Sequence, residues 1–246
     1  MSGASLTQAV RAQLALREGI LAGEFPAGTR LLEVPLAERL AISRTPIRDA
    51  LARLAEEGLL ERVRGGGFVV RTFGLGDVVD AIELRGVLEG TAARLAAERG
   101  VAPARLAELA RIVDALDAGF ARWGGEVDMA DYGELNARFH AVLWELSGSP
   151  IVQREIERVA RLPFGSPSSF LHAMPDDPAF VRSLEYAQDQ HRAILEAIGA
   201  REGARAEAIA REHARLARRN LELALAQGGA RVPSLALVVD PPAERG

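Results

Sequence analysis

The stretch Ser43-Arg-Thr-Pro-Ile-Arg-Asp-Ala-Leu51 decides the fold of the N-terminal part of this 246-residue chain. Serine is a residue type that caps helices, so Ser43 can begin a new helix. Pro46 then falls in the first turn of that helix, where a missing backbone N–H costs no intrahelical hydrogen bond. Ile47 and Leu51 recur at helical spacing and supply a buried face. The stretch therefore predicts a new helix that begins at Ser43.

The residues on both sides of this helix complete a known order of elements. Helices are predicted over Leu36–Leu40 and at about 6–22, where one stripe at helical spacing holds Leu6, Val10, Leu14, Arg17 and Leu21. Downstream, two strand candidates, Leu59–Val63 and Phe68–Thr72, are joined by the glycines at 65–67. Helix, helix, turn, helix and hairpin is the order of a winged helix-turn-helix, in which one helix is suited to the major groove of DNA.

The first turns of the predicted helix carry donors suited to DNA. Arg44 and Arg48 are spaced i, i+4, which brings both side chains back to nearly one face. A recognition helix needs donors there, because base edges in the major groove are read by hydrogen bonds. Ser43 and Thr45 are small enough to approach phosphates, where the helix N-terminus adds exposed N–H groups.

The predicted hairpin offers a further contact, and the helix arginines allow another interpretation. Arg64 stands beside three glycines, which let the chain approach closely, so it can lie against the DNA backbone or reach the minor groove. Alternatively, Arg44 and Arg48 are solvated helix charges, one of them paired with Asp49 or Glu38. The capped helix followed by a glycine-rich hairpin favours DNA contact.

From Asp77 onward the pattern is helical nearly throughout. Helices are predicted at about 77–99, 104–122, 127–147, 150–160, 177–199 and 204–226. We therefore predict a mainly α-helical chain of two domains. A winged helix-turn-helix domain covers residues 1–73, and an all-α helical bundle covers residues 74–228. Residues 229–246 are predicted to be a mobile tail, although the apolar run Leu235–Val239 is able to pack on the body.

Composition limits the class of protein. The chain has no cysteine, which excludes disulfides and thiolate metal sites, and no apolar run approaches the ~18 residues of a membrane helix. The N-terminus lacks the pattern of a secretion signal, so the cytoplasm is the simplest location. Residues 1–73 hold ten arginines and eight acidic residues (+2), and residues 74–246 hold twenty and twenty-six (−6), which gives the net charge of −4. The negative net charge argues against non-specific, charge-driven binding of nucleic acid, but it permits a locally basic DNA-binding domain.

Three of the four histidines fall where a helical metal site needs them. Asn136 and His140 project from one helical face at i, i+4. His191 and His213 lie on adjacent predicted helices, and antiparallel packing can bring both rings to one interior point. Imidazole suits zinc, nickel, iron or manganese. Taken singly, each histidine better fits a buried hydrogen-bonded ring or a helix-surface residue, and only the three together favour metal binding. His172 is predicted to be a loop residue.

Four protein ligands on a six-coordinate ion leave two positions, which suit a bidentate hydroxy- or keto-acid. Arg85 is the candidate for clamping a second carboxylate, because guanidinium matches carboxylate geometry. An ion pair with Glu89 at i, i+4 is the equally weighted alternative. Asn220 lies seven residues past His213 and so faces the same way, which makes it a further candidate for the effector pocket.

The N-terminal motifs closely resemble the DNA-binding domain of the GntR family of bacterial transcription regulators. The stretches that carry this resemblance are Leu36–Leu40, Ser43–Leu51, Glu57–Leu59 and Gly66–Val70. The resemblance implies that operator DNA is contacted by Ser43, Arg44, Thr45, Arg48 and Gly66. Asp49 stands where many members have glutamate, a small departure that leaves the helix prediction intact.

The C-terminal part resembles the all-helical effector domain of the FadR-like branch, often called the FCD domain. The matching stretches are Asp80–Glu89, Asn136–His140, Leu146–Pro150 and His191–Ile198, with His213 completing the set. The resemblance implies that a divalent metal is bound by Asn136, His140, His191 and His213. Many relatives carry aspartate where this chain has Asn136. Four neutral ligands leave the ion's charge uncompensated, so we expect this site to demand an anionic effector more strongly.

These features together predict a homodimeric transcriptional regulator that binds a pseudo-palindromic operator in double-stranded DNA. We expect the protein to repress transcription and a small carboxylic acid to relieve that repression. No membrane partner is expected. Two alternatives are a metal-free sensor of a larger acyl ligand and a metal-dependent enzyme whose ion activates water. Because no motif places a general base beside the ligands, we predict that the protein is not an enzyme.

Overall fold

The computed structural model describes residues 7–123, 127–171, 177–226 and 233–239. The chain divides into two compact units. Unit 1 comprises Met1–Val78, Arg161–Pro163 and Pro233–Gly246, and unit 2 comprises Val79–Ala160 and Phe164–Val232. The prediction of a mainly α-helical chain is confirmed. Among the described helices, none is both long and apolar enough to cross a membrane.

Unit 1 is a winged helix-turn-helix. Its elements are α1 (Gln8–Leu21), β1 (Arg30–Leu31), α2 (Glu33–Leu40), α3 (Arg44–Glu56), β2 (Leu60–Arg62) and β3 (Phe68–Val70). The strands form an antiparallel sheet in the order β1-β3-β2, so Val69 of the central strand lies opposite both Arg30 and Glu61. The hairpin was predicted, with strands that extend one or two residues too far. The two-residue strand β1 was not predicted.

The core of unit 1 lies between α1 and α3. Ile47 and Leu51 of α3 are fully buried, as their spacing predicts. On α1 the buried side chains include Leu16 and Ile20, whereas Leu14, on the stripe that the sequence suggested, is 45% exposed. The helix is therefore rotated relative to the expected face. A second apolar i, i+4 row runs along α1, and that row faces α3.

The turn between α2 and α3 sets the start of the predicted recognition helix. Ala41 adopts a left-handed conformation with φ of 52°, which costs a non-glycine residue about 1–2 kcal/mol. Ser43 then occupies the N-cap position with extended backbone, but its hydroxyl does not bond to the N–H groups of the first turn. The capping hydrogen bond expected for Ser43 is thus not made, and its exposed side chain stays available to a partner.

Unit 2 is a bundle of six helices in the described residues. They are α4 (Leu75–Arg99), α5 (Pro103–Trp123), α6 (Met129–Leu146), α7 (Pro150–Ala160), α8 (Pro178–Gly199) and α9 (Gly203–Ala226). Each lies within two residues of its predicted bounds. Helix α8 packs along α9, and α5 packs on both α6 and α8. Asp128 caps α6 and Asp177 caps α8, each through side-chain bonds to backbone N–H groups.

Two glycines of α4 let this helix lie close to α9. A Cβ atom added to Gly86 would come within 2.9 Å of the Ala214 Cβ, and one added to Gly90 would come within 3.0 Å of the Glu207 carbonyl oxygen. Only residues without a side chain fit at this spacing.

The tail predicted to be mobile is described only at residues 233–239. Pro233–Leu237 form a 3₁₀ helix that belongs to unit 1, and Leu237 is fully buried. Phe73 donates its backbone N–H to the Leu237 carbonyl at 3.0 Å and accepts from the Val239 N–H at 2.8 Å. The apolar run thus packs within unit 1, the winged helix-turn-helix unit, whereas the prediction placed it on the body. Residues 227–232 and 240–246 lie outside the described residues.

Candidate functional site

Three imidazoles meet inside unit 2. His140 of α6, His191 of α8 and His213 of α9 are all buried. The Nε2 atom of His213 lies 3.1 Å from Nε2 of His191 and 3.3 Å from Nε2 of His140. Two nitrogens bound to one zinc ion at about 2.1 Å would lie about 3.0–3.4 Å apart. The structure therefore brings the three rings together at the spacing of metal ligands.

The other ring nitrogens determine where the lone pairs point. Each Nδ1 lies 2.9–3.1 Å from a side-chain oxygen. For His140, His191 and His213 these oxygens belong to Glu89, Gln188 and Gln190, respectively. Because an ionised carboxylate and an amide oxygen only accept hydrogen bonds, each Nδ1 carries the proton. The three Nε2 atoms then face one another, and where the rings are neutral their lone pairs repel unless a cation lies between them.

The orientation of the Gln188 amide is fixed independently of the histidines. Its nitrogen donates to the Val113 carbonyl at 3.1 Å and to the carboxylate of Asp117, which also pairs with Arg192. The amide oxygen is therefore the atom that faces His191. A chain of hydrogen bonds from the surface thus sets the tautomer of a buried ring, as outer partners of metal-binding histidines do.

Burial keeps two of these rings uncharged. Burial and the neighbouring His213 and His140 hold the pKa of His191 well below 6.5. Burial also lowers the pKa of His213 to about 3, with His140 contributing in the same direction. Neutral imidazole is the form that binds a metal ion, so these rings need lose no proton to do so at neutral pH.

A buried carboxylate and a buried guanidinium lie beside His140. Glu89 accepts hydrogen bonds from His140 Nδ1 and Trp144 Nε1, both at 2.9 Å. Burial alone would raise the pKa of Glu89, but His140, Arg85 and Trp144 favour the charged form and bring it to about 2. Arg85 donates to the Gly165 carbonyl at 3.2 Å, and its Nε lies 3.8 Å from the Glu89 carboxylate.

Arg85 thus makes the predicted i, i+4 pair with Glu89 only loosely. Its side chain is 2% exposed, and burial lowers its pKa. Among the described residues, no group accepts a hydrogen bond from its buried Nε. A buried charged donor without an acceptor is costly, so Arg85 is suited to bind an anion.

A cavity of about 430 Å³, including its opening to solvent, lies against the histidine cluster. Its polar wall holds every residue predicted for metal or effector except His191, namely Arg85, Asn136, His140, His213 and Asn220. Asn136 donates its amide N–H to Ser168 Oγ at 3.0 Å, and Asn220 Oδ1 accepts from Ser183 at 2.9 Å. The rest of the wall is mostly apolar and includes Phe170, Leu184 and Leu216.

The donor set fits a divalent transition metal. The candidate ligand atoms of His140, His191 and His213 all lie within 4.8 Å of one another. Neutral imidazole ligands whose Nδ1 atoms are hydrogen-bonded suit zinc, nickel, iron or manganese alike. The Asn136 amide nitrogen is held by Ser168, which leaves its Oδ1 as the atom able to join the set.

The first turns of α3 present the four predicted DNA-contacting residues. Ser43, Arg44, Thr45 and Arg48 are all exposed. Both guanidinium groups bind Glu33, the first residue of α2. The alternative interpretation named Asp49 or Glu38 as the partner of one arginine, whereas the hydrogen bonds of both go to Glu33.

The predicted wing is a tight turn. Gly65, Gly66 and Gly67 have φ of 95°, 97° and 85°, a region that side chains disfavour. Arg30 of β1 donates to the Gly66 carbonyl at 2.7 Å and so supports the turn. Arg64 and Gly66 are exposed at its tip.

Sequence reasoning missed the hydrogen-bond partners of the rings. Gln188 precedes His191 by three residues, so helical spacing could have indicated it. Glu89 was considered only as a partner of Arg85, and Gln190 adjoins His191 but contacts His213 across the helix pair. His172, the fourth histidine, lies outside the described residues.

Comparison with known proteins agrees with this arrangement. Residues 8–70 match the bacterial regulatory proteins of the gntR family, and residues 80–216 match the FCD domain. Together the two matches cover most of the chain.

Two curated relatives are regulators. The Nta operon transcriptional regulator of Aminobacter aminovorans is 33% identical over 136 residues, which is 55% of this chain and 62% of that protein. An uncharacterised HTH-type transcriptional regulator of Agrobacterium vitis is 32% identical over 146 residues, 58% of this chain and 84% of that protein. The chain thus spans less than two thirds of the first of these relatives.

Solved structures share the fold. Escherichia coli McbR/YncC has a TM-score of 0.60 at 24% identity, over 91% of this chain and 99% of that one. Lar of Listeria monocytogenes has a TM-score of 0.62 at 21% identity, over 88% and 99%. Because the two family matches cover residues 8–70 and 80–216, the chain belongs to the GntR family of bacterial regulatory proteins, in the group with an FCD domain, and is a DNA-binding transcriptional regulator, not an enzyme.

Proposed function

We propose that this regulator is a homodimeric repressor of a pseudo-palindromic operator, and that a small carboxylic acid relieves repression by binding with a divalent metal ion in unit 2. The observation that carries the proposal is the convergence of three Nε2 atoms beside a cavity that is also lined by a buried arginine. Such a site offers positive charge to an anion at two points.

The metal would be held by the Nε2 atoms of His140, His191 and His213 and by Oδ1 of Asn136. Zinc, nickel, iron and manganese all suit this set. When bound, the ion supplies a Lewis acid with positions open to a carboxylate oxygen. Glu89, Gln188 and Gln190 orient the rings for this role through the Nδ1 hydrogen bonds.

Arg85 would bind a second carboxylate of the effector. It lines the same cavity as His140 and His213, and its buried Nε lacks an acceptor in the described part of the chain. Planar carboxylate matches guanidinium geometry. Asn220 lines the same wall and would contact polar groups between the two ends.

Residues 1–73 would form the operator-reading domain and residues 74–228 the effector and dimer domain. Ser43, Arg44, Thr45 and Arg48 would contact DNA from α3, and Arg64 and Gly66 from the wing. Two copies would read two half-sites. The change in operator affinity would equal the effector's difference in affinity for the two arrangements of the dimer. As a transcriptional regulator that binds DNA, the protein would act in the cytoplasm.

We expect small carboxylic acids to raise the melting temperature of the full chain only when a divalent metal is present. The screen would test mono- and dicarboxylic acids, including 2-hydroxy and 2-oxo acids, with zinc, nickel, iron or manganese and with a chelator. An acid at about 100 times its Kd adds about 2.7 kcal/mol. Stabilisation by long acyl compounds in the chelator, without any response to the metals, would contradict the proposal and favour the metal-free sensor that the apolar wall also allows.

Asn136→Asp is expected to tighten binding of zinc alone and to weaken binding of the acid to the zinc-loaded protein. The added carboxylate cancels one unit of the ion's charge, so less remains for the effector. The gain in zinc affinity and the loss in acid affinity should each be about tenfold, the lower end of the effects seen when residues around a metal ion are substituted. Calorimetry would measure both.

The matched control for this prediction is Asn220→Asp. It adds the same charge to the same cavity at a residue that is not placed as a ligand. Unchanged effector affinity in Asn136→Asp, or equal effects of both substitutions on zinc, would show that Asn136 is not a ligand.

A further inference from the structure

Glu33 connects the two helices of the helix-turn-helix through the arginines of α3. Its Oε1 accepts from Arg48 Nε at 2.7 Å and its Oε2 from Arg48 Nη2 at 2.9 Å. Oε2 also accepts from Arg44 Nη2, at a longer 3.4 Å. Both arginine side chains are more than 60% exposed, whereas Glu33 is 20% exposed. One partly covered carboxylate thus holds two exposed guanidinium groups.

The bidentate pair leaves a defined part of Arg48 open. A guanidinium carries five N–H donors. Glu33 uses the side formed by Nε and Nη2, so the outer edge, formed by Nη1 and the second Nη2 hydrogen, stays available. Two parallel donors on one edge match O6 and N7 of guanine in the major groove. The pair therefore fixes the side chain and keeps a base-reading edge exposed.

The same pair limits attraction to phosphate. Without a partner, a long exposed arginine samples many rotamers and can reach the DNA backbone, which carries no sequence information. With Glu33, the three side chains together carry a net charge of +1 instead of +2. The hydrogen bond from Arg48 lowers the pKa of Glu33, so the carboxylate is charged wherever DNA is bound near neutral pH.

We propose that Glu33 determines specificity by aiming the outer edge of Arg48 at a base and by keeping both arginines from binding phosphate indiscriminately. This inference rests on the proposed base contact of Arg48 and adds a residue that does not itself need to touch DNA. Glu33 is accordingly a positioning residue.

The test compares operator binding with sequence-blind binding. The operator probe is the duplex that the wild-type protein selects from a randomised pool, and the reference is a scrambled duplex of equal composition. Glu33→Gln is expected to lower the ratio of operator to scrambled affinity about tenfold, the lower range for one bidentate base contact. Most of the change should come from tighter binding to the scrambled duplex. Its salt dependence should steepen by about one phosphate contact.

Glu38→Gln is the matched control. Glu38 is exposed on the same helix, and in the described residues it binds neither Arg44 nor Arg48, so its substitution removes the same charge without freeing either arginine. We expect it to leave the affinity ratio unchanged. Arg48→Ala should lower the ratio itself. In that background Glu33→Gln should change the ratio less than it does in the wild-type protein, because only Arg44 is then left for Glu33 to hold.

Two outcomes separate this inference from the function it rests on. If Arg48→Ala lowers the ratio but Glu33→Gln changes it no more than Glu38→Gln does, Arg48 reads a base and Glu33 is only a surface charge. If Arg48→Ala weakens both duplexes equally, Arg48 is a phosphate contact and the base contact itself is overturned. A second selection with Glu33→Gln should show a lost preference at one operator position, and an unchanged motif would also reject the role of Glu33.

Discussion

Replacing Glu89 with alanine is expected to lower the free energy of unfolding of unit 2 by about 3–5 kcal/mol, the cost of removing one partner from a buried ion pair. Arg85 would lose its only nearby carboxylate in the described residues, and its Nε already lacks an acceptor. His140 Nδ1 and Trp144 Nε1 would also lose the oxygen that accepts from both. Three donors, two of them on buried side chains, would thus be left poorly paired by one substitution.

Urea unfolding of the full chain can measure this effect. The chain has two tryptophans, Trp123 and Trp144, and both lie in helices of unit 2, so intrinsic fluorescence reports on that unit. Glu83→Ala, which removes an exposed carboxylate from the same helix, should cost less than about 1 kcal/mol. Glu89→Gln should fall between the two, because it keeps an acceptor but loses the charge. A loss of under 1 kcal/mol in Glu89→Ala would show that Arg85 finds compensation elsewhere.

Replacing His213 with alanine is expected to abolish stabilisation by metal. His213 is the ring whose Nε2 lies close to both others, so its loss leaves only two imidazoles. Zinc at about 100 times its Kd should stabilise the wild-type protein by about 2.7 kcal/mol. In a protein of this size that is about 5–10 °C in melting temperature. The His213→Ala variant should show a shift of under about 2 °C at the same zinc concentration.

Two further variants show whether this loss is specific to the ion. Asn220→Ala removes a polar group from the same cavity, but its Oδ1 accepts from Ser183 and it is not a predicted ligand. It should keep the full zinc response. Gln190→Ala removes the acceptor of His213 Nδ1 and should weaken zinc binding about 10–100-fold, as outer partners do. A full zinc response in His213→Ala would contradict the assigned centre.

The helices of unit 2 could be predicted closely because each carries a long periodic pattern between clear breaks. The misses in unit 1 have local causes. Strand β1 has only two residues, Arg30 and Leu31, and no periodicity can be recognised over that length. On α1, two apolar rows of similar quality compete, and only contact with α3 decides between Leu14 and Leu16.

In the candidate site, too, some features could be predicted from the sequence and others could not. Helical spacing predicted the convergence of His140, His191 and His213, because ring positions follow from helix geometry. The bond from His140 to Glu89 joins residues 51 positions apart on different helices. Such pairs depend on side-chain conformation in the packed bundle. For Arg48, the sequence pointed to nearby carboxylates, whereas the partner lies 15 residues earlier, across the turn.

The glycines at 86 and 90 have a consequence for the cavity that is proposed to hold the effector. They let α4 and α9 lie close together, and these helices carry Arg85 and His213, which both line the cavity. The reach from guanidinium to imidazole is therefore set by two positions that contact no effector. Under the proposed function, a larger residue at 86 or 90 would widen this spacing and shift the preference toward acids of a different chain length.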